Sequence, residues 1–189
     1  MAMIKVRLID TDVLSNILLM KHKGNIDLNI GEAAEHFQLI TTDIVCLEIK
    51  SGLNKMKQTK TYNKVNVNDN EIDKINRLWD SVKSQLIIKK GKSDPLKLKD
   101  REEQSLVNLS KEYKNNIKIV SNNKKDVIKF LRINNSSTSI YETPFEFYEE
   151  LYRSWFKNYK DLIKFMILAN NDFRVYDKNS LGKNILKRV

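Results

Sequence analysis

Apolar residues follow two different spacings along this chain. Short continuous apolar runs, which are typical of buried strands, lie at residues 4–9, 37–41, 86–88 and 117–120. Between them, apolar residues recur every three or four positions, which is typical of helices; these segments lie at residues 13–20, 43–52, 72–86, 100–113 and 124–131. The alternation predicts an α/β fold in which helices connect the strands of a mainly parallel sheet.

Turn and capping residues set the expected ends of two helices. Gly52 is expected to end the second helix, so that the polar residues 53–64 form a loop or a helix end. Thr143 followed by Pro144 and Glu146 predicts a helix start, because a threonine cap, a proline at the first position and a glutamate at the third satisfy the free backbone groups there.

The helix that begins at this cap, over residues 145–168, is rich in aromatic side chains. Because its apolar residues recur at core spacing, we expect it to pack on the domain or on a partner chain. A last strand is expected over residues 172–176. These elements predict a domain over residues 1–133 and a C-terminal helical extension over residues 134–189 that packs on it.

The composition narrows the class of protein. With 5 glycines and 2 prolines in 189 residues, the chain has few turn formers, which favours a helix-rich architecture over a β-sandwich. The single cysteine, Cys46, excludes an internal disulfide and lies in an apolar run where a buried thiol is expected. The first residues lack the pattern of a signal peptide, and no apolar stretch is long enough to span a bilayer, so we expect a cytoplasmic protein.

Charge is unevenly distributed along the chain, whose formal net charge is +10. Residues 1–49 carry 4 basic and 7 acidic side chains, whereas residues 50–100 carry 13 basic and 6 acidic ones. A polyanion bound to a basic face beside acidic, metal-binding groups would suit this distribution. Solvated lysine-rich helices would produce the same numbers, so charge alone does not decide between the two interpretations.

Acidic or polar groups recur where apolar elements end. Asp10 and Asp12 follow the first strand, at the position where open α/β sheets bind their ligands. Glu48 lies inside an apolar helical segment, and Glu103 lies near the start of a later helix. Ser121-Asn122-Asn123 follows the strand at 117–120. In a parallel sheet these groups would meet at one edge.

Carboxylates brought together in this way repel one another unless a cation neutralises them. Mg²⁺ or Mn²⁺ would do so, because hard cations take oxygen ligands. A bound divalent ion also lowers the pKa of a bound water and stabilises charge that develops on a phosphate. The acidic series therefore predicts metal-assisted hydrolysis of a phosphodiester bond.

Four segments in order resemble the motifs of the PIN-domain nucleases. They are LIDTDVLSNIL around Asp10, TTDIVCLEIKSGL around Glu48, REEQSLVNLSKE around Glu103, and IVSNNKKDV, which puts Asn123 at the fourth motif's acidic position. The resemblance covers roughly residues 4–132. It implies a three-layer α/β/α fold with a central, mainly parallel sheet, here with an extra C-terminal aromatic helix.

The resemblance also implies an activity, a cofactor and partners. The family's acidic cluster binds Mg²⁺ or Mn²⁺ and cleaves RNA, so Asp10, Glu48 and Glu103 would be metal ligands and, with Asn123, catalytic residues; Ser121 would be a supporting hydroxyl. Small bacterial members are commonly toxins neutralised by an antitoxin. The chain is therefore expected to be a VapC-like endoribonuclease, with RNA, an antitoxin protein or a second copy of itself as partners.

Asn123 departs from the family's pattern, because that position is usually an aspartate. An amide oxygen ligates a hard cation without contributing charge, so metal binding is expected to be weaker. Asp12 is expected to supply the missing charge. Asp126, which follows Asn123 by about one helical turn, is a second candidate metal ligand.

Five residues are candidates for contact with nucleic acid. Thr11 and Ser121 lie beside the acidic positions, and Lys50, Lys55 and Lys57 follow Glu48 directly. Lysines of this kind bind phosphates and position the substrate without specifying its sequence.

Other interpretations of the same residues stay open. Asp12, Glu103 and Asn123 could each serve only as helix caps. A phosphatase of the haloacid-dehalogenase type also begins with a strand followed by Asp-x-Asp, as at Asp10 and Asp12. A degenerate domain that binds RNA or protein without cleavage is suggested by Asn123. An interaction module that uses the aromatic C-terminal helix is the remaining alternative.

Overall fold

A computed structural model describes residues 5–24, 37–62, 65–94, 99–113, 116–144, 146, 147 and 150. The strands are β1 (Lys5–Ile9), β2 (Phe37–Thr42), β3 (Thr61–Tyr62), β4 (Val65–Asn66), β5 (Ile87–Lys89), β6 (Ile117–Val120) and β7 (Tyr141–Glu142). The helices are α1 (Thr11–Gly24), α2 (Asp43–Thr59), α3 (Asp69–Ser84), α4 (Arg101–Ser110) and α5 (Lys124–Ile133), with a short 3₁₀ helix at Thr138–Ile140.

Five strands form one parallel sheet in the order β5-β2-β1-β6-β7. The strand β1 is central, and its residues from Val6 to Ile9 are all buried, as expected for a strand covered on both faces. Helices α1, α2 and α3 pack against one another, and α4 packs against α5. The predicted α/β fold with a central parallel sheet is confirmed. None of the described helices is long and apolar enough to cross a membrane.

Helix α2 is longer than the sequence suggested. Gly52 was expected to end it, but the helix continues through this exposed glycine to Thr59 and ends at Lys60, whose backbone is left-handed (φ 52°). The continuation follows from packing, because Ile49, Leu53 and Met56 extend one buried stripe along the helix. Of the two alternatives for residues 53–64, the loop was wrong as far as Thr59, and the helix end is what the structure has there.

The chain beyond residue 133 contributes to the sheet and to the core. Strand β7 pairs in parallel with β6, and this strand was not predicted. Thr143 caps the next helix as expected: its hydroxyl accepts from the Glu146 backbone N–H at 3.1 Å, and its own N–H donates to the Glu146 carboxylate at 2.8 Å. Phe147 is fully buried. The rest of the aromatic helix and the strand expected at residues 172–176 lie outside the described residues.

A buried arginine on β1 connects the sheet to this last segment. Arg7 pairs with Glu142 of β7 at 2.5 Å, with both side chains less than a tenth exposed, and it also pairs with Glu150. Its guanidinium carbon lies 5.2 Å from the ring centroid of Phe37, which packs edge-on against Phe147. We call the three residues Arg7, Glu142 and Glu150 the Arg7 cluster. Its charges stabilise the docking of residues 141–150 on the sheet.

Candidate active site

The loops after β1 and β6 diverge at the carboxyl end of the sheet. From β1 the chain leads through α1 to β2 on one side, whereas from β6 it leads through α5 to β7 on the other side. Neighbouring parallel strands whose connections part in this way leave a crevice between them, which is where α/β proteins place ligands. Residues Asp10–Asp12 lie on the β1 side of this crevice and Ser121–Asn123 on the β6 side, and the Asp10 backbone N–H donates to the Val120 carbonyl at 3.1 Å.

Asp10 lies at the base of the crevice with only 3 % of its surface exposed. One carboxylate oxygen accepts from the Thr11 backbone N–H at 2.8 Å, and the Ser121 hydroxyl also hydrogen-bonds the carboxylate. Burial raises the pKa of Asp10 well above its usual value, and the negative charges of Asp12 and Glu103 raise it further. These two hydrogen bonds orient the carboxylate without neutralising it.

Asp12 reaches across the crevice to the loop after β6. Its Oδ2 accepts from the Asn122 backbone N–H at 2.8 Å, so the side chain does more than cap α1. Burial raises the pKa of Asp12 to about 6, although hydrogen bonds from Asn122 lower it; the charge of Glu103 raises it as well. Its Oδ1 is buried and accepts no hydrogen bond from any residue that the structure describes. Because a buried carboxylate oxygen without a partner is costly, a bound ion or water is the kind of partner that this oxygen calls for.

Glu103 is buried in the first turn of α4, and its Oε1 accepts from the Asn123 side-chain amide at 2.7 Å. Burial raises the pKa of Glu103, Asn123 lowers it, and the charges of Glu102 and Asp100 raise it. Asp100, at the start of α4, and Asn123, at the start of α5, make no side-chain capping hydrogen bond, so the interpretation of these helix starts as caps does not hold. The side chains of Glu103 and Asn123 instead contact each other across the crevice.

Buried hydroxyl groups hold the elements around the crevice together. The Thr42 and Ser105 hydroxyls, both fully buried, hydrogen-bond at 2.7 Å and attach α4 to β2, two residues from Glu103. The Thr41 hydroxyl donates to the Ile9 carbonyl at 2.9 Å and joins β2 to β1 next to Asp10.

Glu48 lies at the rim of the same crevice. It is exposed on α2, and its carboxylate accepts a hydrogen bond from the Thr11 hydroxyl. Its negative charge also contributes to raising the pKa of Glu102, after burial, which has the larger effect. Glu48 is thus connected to the β1 loop and lies near the start of α4. We call Asp10, Asp12, Glu48 and Glu103 the acidic crevice.

The donor chemistry of the acidic crevice fits a hard divalent cation. Asp10, Asp12 and Glu103 repel one another. Among the described residues, no basic side chain forms an ion pair with them and none hydrogen-bonds Asp12 Oδ1. Within the described residues, however, no three His, Cys, Asp or Glu side chains are already placed to hold one metal ion. The crevice therefore has the ligand types and uncompensated charge of a metal site without a preformed coordination shell.

The other predicted site residues lie farther from these contacts. Asp126 is half-buried in the first turn of α5, and no hydrogen bond or ion pair among the described residues joins it to the acidic crevice. Lys50, Lys55 and Lys57 are exposed on α2. Because a helix rises about 1.5 Å per residue, Lys57 lies roughly 20 Å along the axis from the crevice end of α2. Their contact with nucleic acid stays a prediction.

Two residues at the crevice, Glu102 and Tyr141, were not singled out from the sequence, and Asn122 was named without a role. Asn122 holds Asp12 through its backbone, and the charge of Glu48 acts on half-buried Glu102. The Tyr141 hydroxyl donates to the Ser121 carbonyl at 2.9 Å; its pKa is raised by burial and then by the charge of Asp12. Glu102 could have been found from its position beside Glu103. Tyr141 belongs to a strand of two residues, which is too short to produce a pattern.

Comparison with known proteins identified no relative of this chain. No known protein family, no curated protein and no solved structure matched the chain. The functional interpretation therefore depends on the geometry and chemistry of the crevice.

Proposed function

We propose that this protein is a metal-dependent endoribonuclease of the PIN-domain type that hydrolyses RNA phosphodiester bonds at the acidic crevice. The observation that carries the proposal is the convergence of three carboxylates at the switch point of a parallel sheet: Asp10 is buried, Asp12 contacts the loop after β6 at 2.8 Å, and Glu103 contacts Asn123 at 2.7 Å. Their negative charges repel one another, and a bound cation would relieve that repulsion.

The polar neighbours of the carboxylates act as positioning residues in this proposal. The Ser121 hydroxyl orients Asp10, the Asn123 amide orients Glu103, and the Thr11 hydroxyl orients Glu48. Asp10, Asp12 and Glu103 would hold Mg²⁺ or Mn²⁺, and exposed Glu48 lies where water and substrate have access. The bound ion would supply Lewis-acid stabilisation of the negative charge that develops on the phosphate.

Incubation of the purified protein with end-labelled single-stranded RNA tests the proposal. We expect internal cleavage with Mg²⁺ or Mn²⁺ and none with a chelator. Asp10→Asn and Glu103→Gln should each abolish cleavage, because each removes a charge from the crevice. Asp73→Asn and Glu112→Gln, which change exposed acidic residues elsewhere, should leave it intact.

Two results would contradict the proposal. One is cleavage that persists in Asp10→Asn or with the chelator. The other is intact RNA together with no change in thermal stability when Mn²⁺ is added, which would mean that the crevice binds no metal. A shift in thermal stability that is lost in Asp10→Asn would support the metal site independently of cleavage.

A second candidate function is RNA binding without cleavage. It is favoured by the hydrogen bond from the Asn123 amide to Glu103 at 2.7 Å, because a neutral donor stabilises that carboxylate without any metal. Retained RNA binding, with no cleavage and no effect of Mn²⁺, would select this function. The phosphatase alternative has less support, since Thr11 and Ser121 both hydrogen-bond the Asp10 carboxylate that would have to act as nucleophile. Hydrolysis of small phosphate esters would revive it.

A further inference from the structure

We propose that single-stranded RNA crosses the carboxyl edge of the sheet and passes over the acidic crevice. Its path runs from Lys89 and Lys90, after β5, to Lys124 and Lys125, at the start of α5. This inference rests on the proposed function, since it assigns a path to the substrate of that site. The four lysines are exposed, and none of them forms an ion pair with another described residue. We call them the edge lysines.

The fold places the edge lysines on both sides of the carboxylates. Lys89 is the last residue of β5, which pairs in parallel with β2, so it lies at the same edge of the sheet as Asp10. Lys124 and Lys125 directly follow Asn123, which contacts Glu103. In the order β5-β2-β1-β6, the crevice between β1 and β6 thus lies between the two pairs of lysines.

The segment after β5 is attached to this edge. The Gly91 backbone N–H donates to the Asp43 carboxylate at 2.7 Å, at the start of α2. A Cβ at position 91 would come 2.8 Å from Ile44 Cδ1, so a larger residue there would require the Ile44 side chain to shift. The contact holds Lys90 beside the start of α2 and keeps its charge at the edge of the sheet.

The separation of the two pairs suits a short stretch of RNA. From β5 to β6 there are three strand spacings, which amount to about 14 Å. A stacked strand with one phosphate per ~3.4 Å covers that distance in roughly four nucleotides. Phosphates near each end would contact lysines, while an intermediate phosphate would lie over the carboxylates.

The burial of Asp10 favours a single strand over a duplex. Only 3 % of Asp10 is exposed, so a phosphate must enter the crevice to approach it. A flexible strand can bend one phosphate inward, whereas a duplex resists bending over so short a distance. The edge lysines would position the backbone without reading bases.

RNA binding by the full chain tests this path, measured in the Asp10→Asn background so that cleavage does not interfere. The probe is a fluorescent single-stranded RNA, and fluorescence anisotropy is recorded over a range of salt concentrations. Lys89→Gln/Lys90→Gln and Lys124→Gln/Lys125→Gln should each weaken binding and should each reduce the salt slope by roughly 1.4, the value for two lost phosphate contacts on a single strand. Lys74→Gln/Arg77→Gln removes the same charge from the exposed face of α3 and serves as the matched control.

The same series includes the rival surface on α2. If Lys55→Gln/Lys57→Gln reduces the slope and the edge-lysine variants do not, the path is wrong although RNA binding stands. If all variants, including the control, weaken binding equally, only net charge matters and the path is overturned. The path would also be overturned if the protein bound an RNA duplex of the same length with equal affinity. The same holds if the edge-lysine variants lost affinity for an acidic protein segment but not for RNA. Because binding is measured without cleavage, these results do not depend on whether the protein is a nuclease.

Discussion

The Arg7 cluster begins on β1, and the acidic crevice begins three residues later, at Asp10 directly after this strand. Both bring buried charged side chains together, although Glu48 of the acidic crevice is exposed. In the Arg7 cluster, a guanidinium lies 2.5 Å from Glu142 and also pairs with Glu150. In the acidic crevice, Asp10, Asp12 and Glu103 have hydrogen-bond donors but no described basic side chain as an ion-pair partner. Burial raises the pKa of Glu142 as it does that of Asp10, but only at Glu142 does a neighbouring positive charge oppose the rise.

This difference distinguishes a group of charges that stabilises the fold from a group that is available to bind a ligand. Folding supplies the counter-charge of the Arg7 cluster, so this cluster needs nothing else. Among the described residues the acidic crevice has no such counter-charge, which leaves its carboxylates available to a cationic ligand. Substitutions in the two groups should therefore have opposite effects on the free energy of unfolding.

The largest expected effect is the loss of the arginine. Arg7→Met leaves the Glu142 carboxylate buried beside an apolar side chain, and we expect the free energy of unfolding to fall by about 3 kcal/mol or more. Urea denaturation measures it. Lys5→Met is the matched control, because Lys5 also pairs with Glu150 but its side chain is 53 % exposed, and it should cost less than about 1 kcal/mol. Equal losses in the free energy of unfolding for the two variants would show that the buried position of Arg7 does not increase its contribution.

Removal of a charge from the acidic crevice should stabilise the metal-free protein. Burial raises the pKa of Asp12 to about 6, so the negative charge that it carries at pH 8 destabilises the folded state relative to the unfolded chain. Asp12→Asn should raise the free energy of unfolding there by about 2 kcal/mol, measured in the presence of a chelator. A loss of stability would mean that the Asn122 contact with Asp12 matters more than the repulsion.

The effect of Asp12 should depend on pH with a defined sign. Since its pKa is higher in the folded protein than in the unfolded chain, its contribution is fully present below about pH 3.8 and is lost as pH rises through about 6. The stability difference between Asp12→Asn and the unmodified chain should therefore be small near pH 4 and grow towards pH 8. A difference that stays constant over this range would exclude Asp12 as its origin.

A smaller effect is expected from placing an aspartate at position 123, as in the fourth motif of the PIN-domain nucleases that the sequence resembles. Asn123→Asp replaces an amide that donates to Glu103 with another negative charge, so the metal-free protein should lose stability. Mn²⁺ affinity, measured by calorimetry, should rise by roughly tenfold because one more charged ligand is present. Asn54→Asp on the exposed face of α2 is the control and should change neither quantity. Unchanged Mn²⁺ affinity in Asn123→Asp would place the metal away from this residue.

Much of the fold was predictable because its long elements have clear periodicity. The strands at Phe37–Thr42 and Ile117–Val120 and the helix at Asp69–Ser84 follow the spacing of their apolar residues. Gly52 was misleading, since the turn chemistry of one glycine was outweighed by the buried stripe that continues through Leu53 and Met56. Local signals of this kind are decided by tertiary packing, which the sequence does not display.

The proximity of the strand-end residues in the candidate site was predictable, but their contacts were not. Positions at strand ends identified Asp10, Ser121 and Asn123, because a parallel sheet brings such ends together. The pairing of the Asn123 amide with Glu103 could not be foreseen, since it depends on how α4 and α5 face each other. The position of Lys57 far along α2 also depends on a helix end that the sequence misplaced.

Strand β7 has a consequence for synthesis of the protein. On the ribosome, β1 emerges long before residues 141–147, so during translation Arg7 lacks Glu142 and the outer edge of β6 has no neighbouring strand. An open strand edge of this kind pairs readily with other chains, which makes the unfinished protein a natural target for chaperones. Tyr141 reaches Ser121 only when this segment has docked, so this contact at the crevice forms late in synthesis.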